Sequence, residues 1–481
     1  MNPRRCFPLL LLVLTLATSA WAQWSSDPAQ NLALSNIPGA DQVQPKLQPL
    51  SNNYWYVSWF NNNPNDPPPQ GYDVYYQLLN ADGYEQFQHD GVQVAKLSLS
   101  STQDYGLAAD ADGNALLAFQ DDRLYSNPQI TGAKMGPTGQ PLWGTNGVSL
   151  TAGGASYNSP RITVTSDGYI VVAWTANNAV VVQRLTPAGV PTWHGPAVLL
   201  KGIVLQEPGY DYILADLHAA ENGSVIVSFV RNHGFGSNNY LYANKISSAG
   251  QPMWGSGVHV YDGGSLQFGE FPYFTPDGAG GAIFAWYTAS PTLQVYAQHI
   301  LSNGTEVFPH NGSAGAITGS DVRVDPAVSY NPLTQETFLV WTELDQFQTV
   351  QGIYAQKFDA AGARQWTDSG KTIVPLGNDA QINPVNVQIG SGALFAWYDQ
   401  PNYGQGTINA IKLDGTGSTV CPQFYISSAS SEKERLTANI DSTGLAAFAW
   451  SDQRNGENDI YIQNVNPDCT LGIENSLMVK K

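Results

Sequence analysis

Gly352-Ile353-Tyr354-Ala355-Gln356-Lys357-Phe358, followed by Asp359-Ala360-Ala361-Gly362 and Ala363-Arg364-Gln365-Trp366 and closing on Gly370, decides the fold. An alternating apolar run, a Gly-containing turn and a second strand marked by Trp make a β-hairpin. Just upstream of each such hairpin stands a second marker, a Gly turn and an apolar run ending in a large aromatic. Gly281-Ala282-Ile283-Phe284-Ala285-Trp286, Gly392-Ala393-Leu394-Phe395-Ala396-Trp397 and Gly444-Leu445-Ala446-Ala447-Phe448-Ala449-Trp450 are its clearest copies. One aromatic per unit gives Trp59, Phe119, Trp174, Phe229, Trp286, Trp341, Trp397 and Trp450, at successive gaps of 60, 55, 55, 57, 55, 56 and 53 residues. That is eight copies of one unit.

The third unit can be read strand by strand. Arg161 to Thr165 is strand a, Ser166-Asp167-Gly168 turns the chain, and Tyr169 to Trp174 is strand b. Ala179 to Leu185 is strand c, where β-branched Val180-Val181-Val182 disfavours a helix. Thr186-Pro187-Ala188-Gly189 turns into strand d near Trp193. Four strands per unit at a near-constant period define an all-β chain, an eight-bladed β-propeller of four-stranded blades. An open last blade would leave a bare edge strand. The last unit supplies only strands a to c, whereas Trp24 to Leu34 resembles the strand d pattern Trp143 to Leu150. The N-terminal strand is therefore expected to complete the last blade, with the tail from Ile473 to Val479 as the rival. The propeller spans residues 23–472, and 473–481 form a short tail.

Met1 to Ala22 has a basic start at Arg4 and Arg5, an apolar core from Phe7 to Ala17, and the small-x-small site Ala20-Trp21-Ala22. It reads as a signal peptide cleaved before Gln23, placing the mature chain in the periplasm or outside the cell. No later apolar run nears the roughly 20 residues that cross a bilayer. Without Arg4 and Arg5, 21 − 2 = 19 basic residues face 39 acidic ones, a formal charge of −20. Nucleic acid and anionic membranes are poor partners for that charge. Cys421 stands where other units carry the strand d Trp, and Cys469 lies in the next unit's c to d turn. Neighbouring blades bring the two together, so a disulfide is expected.

The connections between strands b and c vary most between units, and they share one face with the d to a connections. Binding usually lives on such loops. They carry Asp122, Arg123, Phe235, Tyr403, Asp452 and Arg454 as candidate ligand residues, aromatics among carboxylates and guanidinium groups, which suits a glycan. The alternative is that Asp121-Asp122-Arg123 and Asp452-Gln453-Arg454 merely tie loops together. Pro recurs where strand a is expected to begin, in Gln44-Pro45, Ser159-Pro160, Phe271-Pro272, Asp325-Pro326 and Asn383-Pro384. Asp104, Asp211, Asp325 and Glu434 would then ring the channel mouth. There they would hold calcium, act as an acid and base pair for glycoside cleavage, or simply be solvated. Asp110-Ala111-Asp112-Gly113 is turn chemistry. Zinc-hydrolase, nucleophile-elbow and phosphate-loop motifs are absent.

Trp450-Ser451-Asp452-Gln453-Arg454 with Asp459-Ile460-Tyr461-Ile462-Gln463 resembles the repeat of exported bacterial β-propeller proteins, Trp-x-Asp-x-Arg, Asp-Ile-Tyr-x-Gln and Gly-x-x-x-Trp. Ala133 to Trp143 resembles the tryptophan-docking motif of eight-bladed quinoprotein dehydrogenases in all but its Asp. That likeness implies blade geometry and no cofactor, since their adjacent cysteine pair is missing. The expectation is an exported monomer binding a glycan or an extracellular protein through its loop face without catalysis. A carbohydrate-active hydrolase or lyase at the channel mouth is the alternative, and a passive envelope scaffold the third.

Overall fold

The computed structural model describes residues 23–123, 127–153, 156–193, 202–402 and 404–473. These residues build eight antiparallel blades running a-b-c-d from the central channel outward, seven of four strands and the fifth with its strand a split in two. Lys433–Ile440, Ala446–Asp452 and Asp459–Val465 are strands a to c of blade 8, and Leu32–Ser35 is its strand d, with Leu32 opposite Ile462. The N-terminal strand thus closes the ring; residues 474–479 of the rival tail lie outside the described residues.

The eight marker aromatics lie on strand b and are at most 1 % exposed. Burying rings of this size stabilises by roughly 2–3 kcal/mol each. They pack between blades: Phe119 of blade 2 shares one apolar cluster with Tyr56, Phe60 and Tyr76 of blade 1. Trp286, Trp341 and Trp450 also stack on the strand c tyrosines Tyr296, Tyr354 and Tyr461.

A second device repeats at the c to d turns. Each of the first seven blades ends this turn on a glycine with φ between +78° and +89°: Gly83, Gly139, Gly189, Gly250, Gly304, Gly362 and Gly417. The preceding blade lays a ring there. Trp24, Trp143, Trp193, Trp254, Phe308 and Trp366 lie within about 3 Å of where a Cβ would stand on Gly83, Gly189, Gly250, Gly304, Gly362 and Gly417, and Phe87 approaches Gly139 less closely. Glycine is needed twice over, for its backbone angle and for the space. Four indoles also donate across the junction: Trp24 Nε1 to Ala81 O at 2.9 Å, and Trp143, Trp193 and Trp254 to Pro187, Ser248 and Ser302 O at 3.1 Å. At the eighth turn the glycine position is Cys469, at φ 71°, and the ring position is Cys421. The two form a disulfide with Cα atoms 6.5 Å apart. The expected staple is present, and it replaces a ring on a glycine with a covalent bond.

One expectation about strand a needs correction. The recurring Pro does not begin the strand. Pro45, Pro160, Pro326 and Pro384 sit inside Asp41–Pro49, Tyr157–Val164, Val322–Asn331 and Ala380–Ile389, each at a register shift. The preceding residues Gln44, Ser159, Asp325 and Asn383 have φ between 49° and 57°. These are β-bulges, where a residue without an N–H loses no ladder bond. Blade 8 makes the same bulge at Arg435 without Pro.

Candidate functional site at the channel mouth

Blade 5 breaks the pattern. Its inner strand is split into Ser265–Leu266 and Phe274–Pro276, both paired with Ala282–Ser290, and residues 267–273 between them leave the ladder. Gly269 at φ 82° and Pro272 favour the departure. Tyr287, whose carbonyl keeps only a long 3.4 Å bond from the Gln267 N–H, donates its own backbone N–H to Glu270 Oε1 at 2.9 Å. The excursion carries Phe268, Phe271 and Tyr273, which are 74, 37 and 56 % exposed. The Phe268 ring meets Phe235, from the b to c loop of blade 4, edge-on at 5.9 Å. Phe235 and Phe347, in the b to c loop of blade 6, are exposed too. Among the described residues every exposed phenylalanine therefore belongs to the loop face or channel mouth of three consecutive blades.

A cavity of about 1440 Å³ opens beside this row. Blades 5 to 8, with Gln44, Pro45 and Lys46 of blade 1 and Asp104 of blade 2, line it; no residue of blades 3 or 4 and none of the a to b turns does. The cavity is therefore an off-axis pit that opens on the loop face. Its wall toward blades 3 and 4 is a polar brace. Asp104 receives Lys46 Nζ at 2.8 Å and the Tyr105 N–H at 2.9 Å on Oδ1, and Arg161 at 2.5 Å and the Tyr273 hydroxyl at 2.7 Å on Oδ2. Arg161, 7 % exposed, also faces Asp216 at 3.7 Å, and Asp216 holds His218 at 3.0 Å and accepts the Phe274 N–H at 3.1 Å. The brace joins five blades.

Its electrostatics follow from those contacts. Burial pushes the Asp104 carboxyl up, but Lys46 and Arg161 outweigh it and hold the group well below the carboxylate range. With four donors on two oxygens, Asp104 has no lone pair left for a substrate. Burial raises Tyr273 above the usual phenol range, so it stays protonated. Across the cavity, burial raises Glu270 well above a normal carboxyl; the Tyr287 N–H opposes this and nearby Asp325 adds to it. Burial raises Asp325 as well.

Of the four sequence-derived carboxylates, Asp104, Asp325 and Glu434 line this one cavity and Asp211 does not. Asp211 pairs with Asn232 at the loop-face end of its strand. In the register of the bulge it is Asp216, five residues on, that reaches the channel brace. The loop candidates divide. Phe235 is solvent-exposed, and Tyr403 lies outside the described residues. Asp452 is fully buried, held by Arg454 at 2.6 Å, Trp450 at 2.8 Å and Lys433 at 3.4 Å, and Arg454 also reaches Asn31 at 3.1 Å. Arg123 closes on Asp121 at 2.6 Å and Asp122 accepts from Ser98 N at 3.1 Å, so these side chains tie loops to the scaffold. Among the described residues no group of three His, Cys, Asp or Glu side chains is placed to hold a metal ion. Lys46, Arg161, Phe268, Glu270 and Tyr273 escaped the sequence reading. The available signal was Gly269, three residues before Pro272, where the other Pro-bearing inner strands carry Gln42, Tyr157, Arg323 and Gln381.

No family model matches the chain, and no curated protein matches it. Several solved structures are similar to the chain. The Dos1 propeller superposes with a TM-score of 0.49 at 9 % identity over 90 % of this chain and 95 % of that one. The polysaccharide lyase Uly1 gives 0.45 at 10 % over 91 and 92 %, and a protein of unknown function from Dyadobacter fermentans gives 0.40 at 13 % over 79 and 96 %.

Proposed function

We propose that this chain is an exported glycan-binding propeller whose site is the pit at the channel mouth together with the aromatic row above it. The observation that carries this reading is the concentration of exposed Phe235, Phe268, Phe271 and Tyr273 around the one broken inner strand. Exposed rings cost solvation unless something covers them, and a pyranose presents an apolar face to a ring and hydroxyls to the surrounding amides and carboxylates. Gln351, Asn378, Asn383 and Gln400 on the pit wall supply such partners. A disulfide suits an oxidising, extracytoplasmic setting. Among the described residues no helix is long and apolar enough to cross a membrane.

A glycan array probed with residues 23–481 tests this. Selective binding of a neutral glycan class is the expected result, and a blank array removes the reading. Hydrolysis is the second reading, favoured by Asp325 and Glu434 facing the same pit. It requires that a bound glycan be turned over and that Asp325→Asn abolish turnover while leaving binding in place.

A further inference from the structure

The brace that walls the pit is built as more than a strut. Lys46 offers three N–H donors and gives one to Asp104 at 2.8 Å, its only hydrogen-bond or ion-pair partner among the described residues. Its side chain is 25 % exposed. Tyr273 gives its only proton to Asp104 and its oxygen accepts a long 3.5 Å bond from Arg161 Nη2, which leaves room for one further donor beside a half-exposed ring. Lys46 and Tyr273 both line the pit. A fixed donor, a fixed acceptor and a ring face on one wall match a sugar hydroxyl pair, because each hydroxyl both donates and accepts. Arg161 serves differently. It is buried, its Nε has no hydrogen-bond partner, and it stacks beside Tyr273 at 5.3 Å while pinning Asp104. The depth of the pit adds direction. Its lining runs from Gln400 and Glu432 at the rim to Val328, Asn386 and Ala438 and stops short of every a to b turn. A lining that ends there suits the end of a chain better than its middle.

We propose that Lys46 and Tyr273 form the subsite for the terminal pyranose of a linear glycan that enters the pit end-on, with Asp104 and Arg161 as the residues that position them. This rests on the glycan reading above and assigns the end of the chain to the brace and its following residues to Phe271, Phe268 and Phe235.

The test uses a glycan identified on the array, printed once through its reducing end and once through its other end. An end-on pit binds one orientation and loses the other; equal binding of both overturns the proposal. Titrations of that glycan with Lys46→Met and Tyr273→Phe follow, the first leaving Asp104 paired with Arg161. A lost charge-assisted hydrogen bond predicts about tenfold weaker binding for Lys46→Met, and a lost neutral one about fivefold for Tyr273→Phe. Both variants should remain folded at the assay temperature, with Asp104 still held by Arg161. Wild-type affinity in both, with binding still lost in Phe235→Ala/Phe268→Ala, would overturn the subsite and leave the glycan reading standing. Absence of any glycan binding by the wild type would remove both.

Discussion

The two faces of the propeller are built by opposite rules. On the c to d turn face, seven junctions use one device, a ring laid on a left-handed glycine, and the eighth swaps it for Cys421 and Cys469 at the same two positions. On the loop face the connections vary, the Asp-x-Arg tie of blades 2 and 8 apart, and blade 5 gives up part of its inner strand to place Phe268, Glu270, Phe271 and Tyr273 at the channel. Repetition marks what holds the ring together. Departure from it, where backbone pairing is surrendered and rings are left in water, marks where we propose that a ligand is met.

The largest effect should come from the repeating face. Trp254→Ala removes a ring that is 8 % exposed, its contact with Gly304 and its bond to Ser302. Large-to-small changes at buried rings cost about 3–5 kcal/mol, and a downward shift of the urea midpoint at unchanged slope would register it. Next comes the covalent junction. Cys421→Ser/Cys469→Ser should cost roughly 2–4 kcal/mol, read as a lower unfolding temperature that added reductant does not lower further. A loss much larger than that of Trp254→Ala would show that the eighth junction carries the ring closure by itself.

A smaller effect is expected from pH. Asp73 and Asp459 begin strand c in blades 1 and 8 on the loop face, and burial raises each to about 6. A carboxyl bound more tightly to its proton in the folded state contributes stability that is complete below its unfolded value near 4 and is lost as pH rises through 6. The unfolding temperature should therefore fall between pH 4 and 6 through these groups. Asp73→Asn/Asp459→Asn should flatten that slope, and an unchanged slope would assign it elsewhere.

The repeating face was legible because its signals are local and occur eight times. A glycine turn, an alternating run and a spaced aromatic gave the strands, the blade count, the N-terminal closure and the cysteine pair. The site was legible only in part. Asp104, Asp325 and Glu434 could be ranked near the mouth, since register along one strand sets depth. Asp211 was misplaced by five residues against Asp216, since strand a of blade 4 has no Pro to mark its bulge. The brace around Arg161 joins Lys46, Asp104, Asp216 and Tyr273 from four other blades, and no spacing in a single chain reports such a meeting. Asp452 and Arg454 illustrate the reverse case. Their motif is conspicuous in sequence because it fastens the Trp450 indole and the loop, which occupies both side chains.

The most direct measurement is a pair of binding isotherms for the best glycan from the array, one with the wild type and one with Phe235→Ala/Phe268→Ala. Both rings are exposed, 97 and 74 %, so the double variant should unfold at the wild-type temperature. The account predicts that it binds about tenfold or more weakly, since each stacked ring contributes on the order of 1 kcal/mol. Unchanged affinity in a folded variant would contradict the assignment of the broken strand of blade 5 as the ligand site.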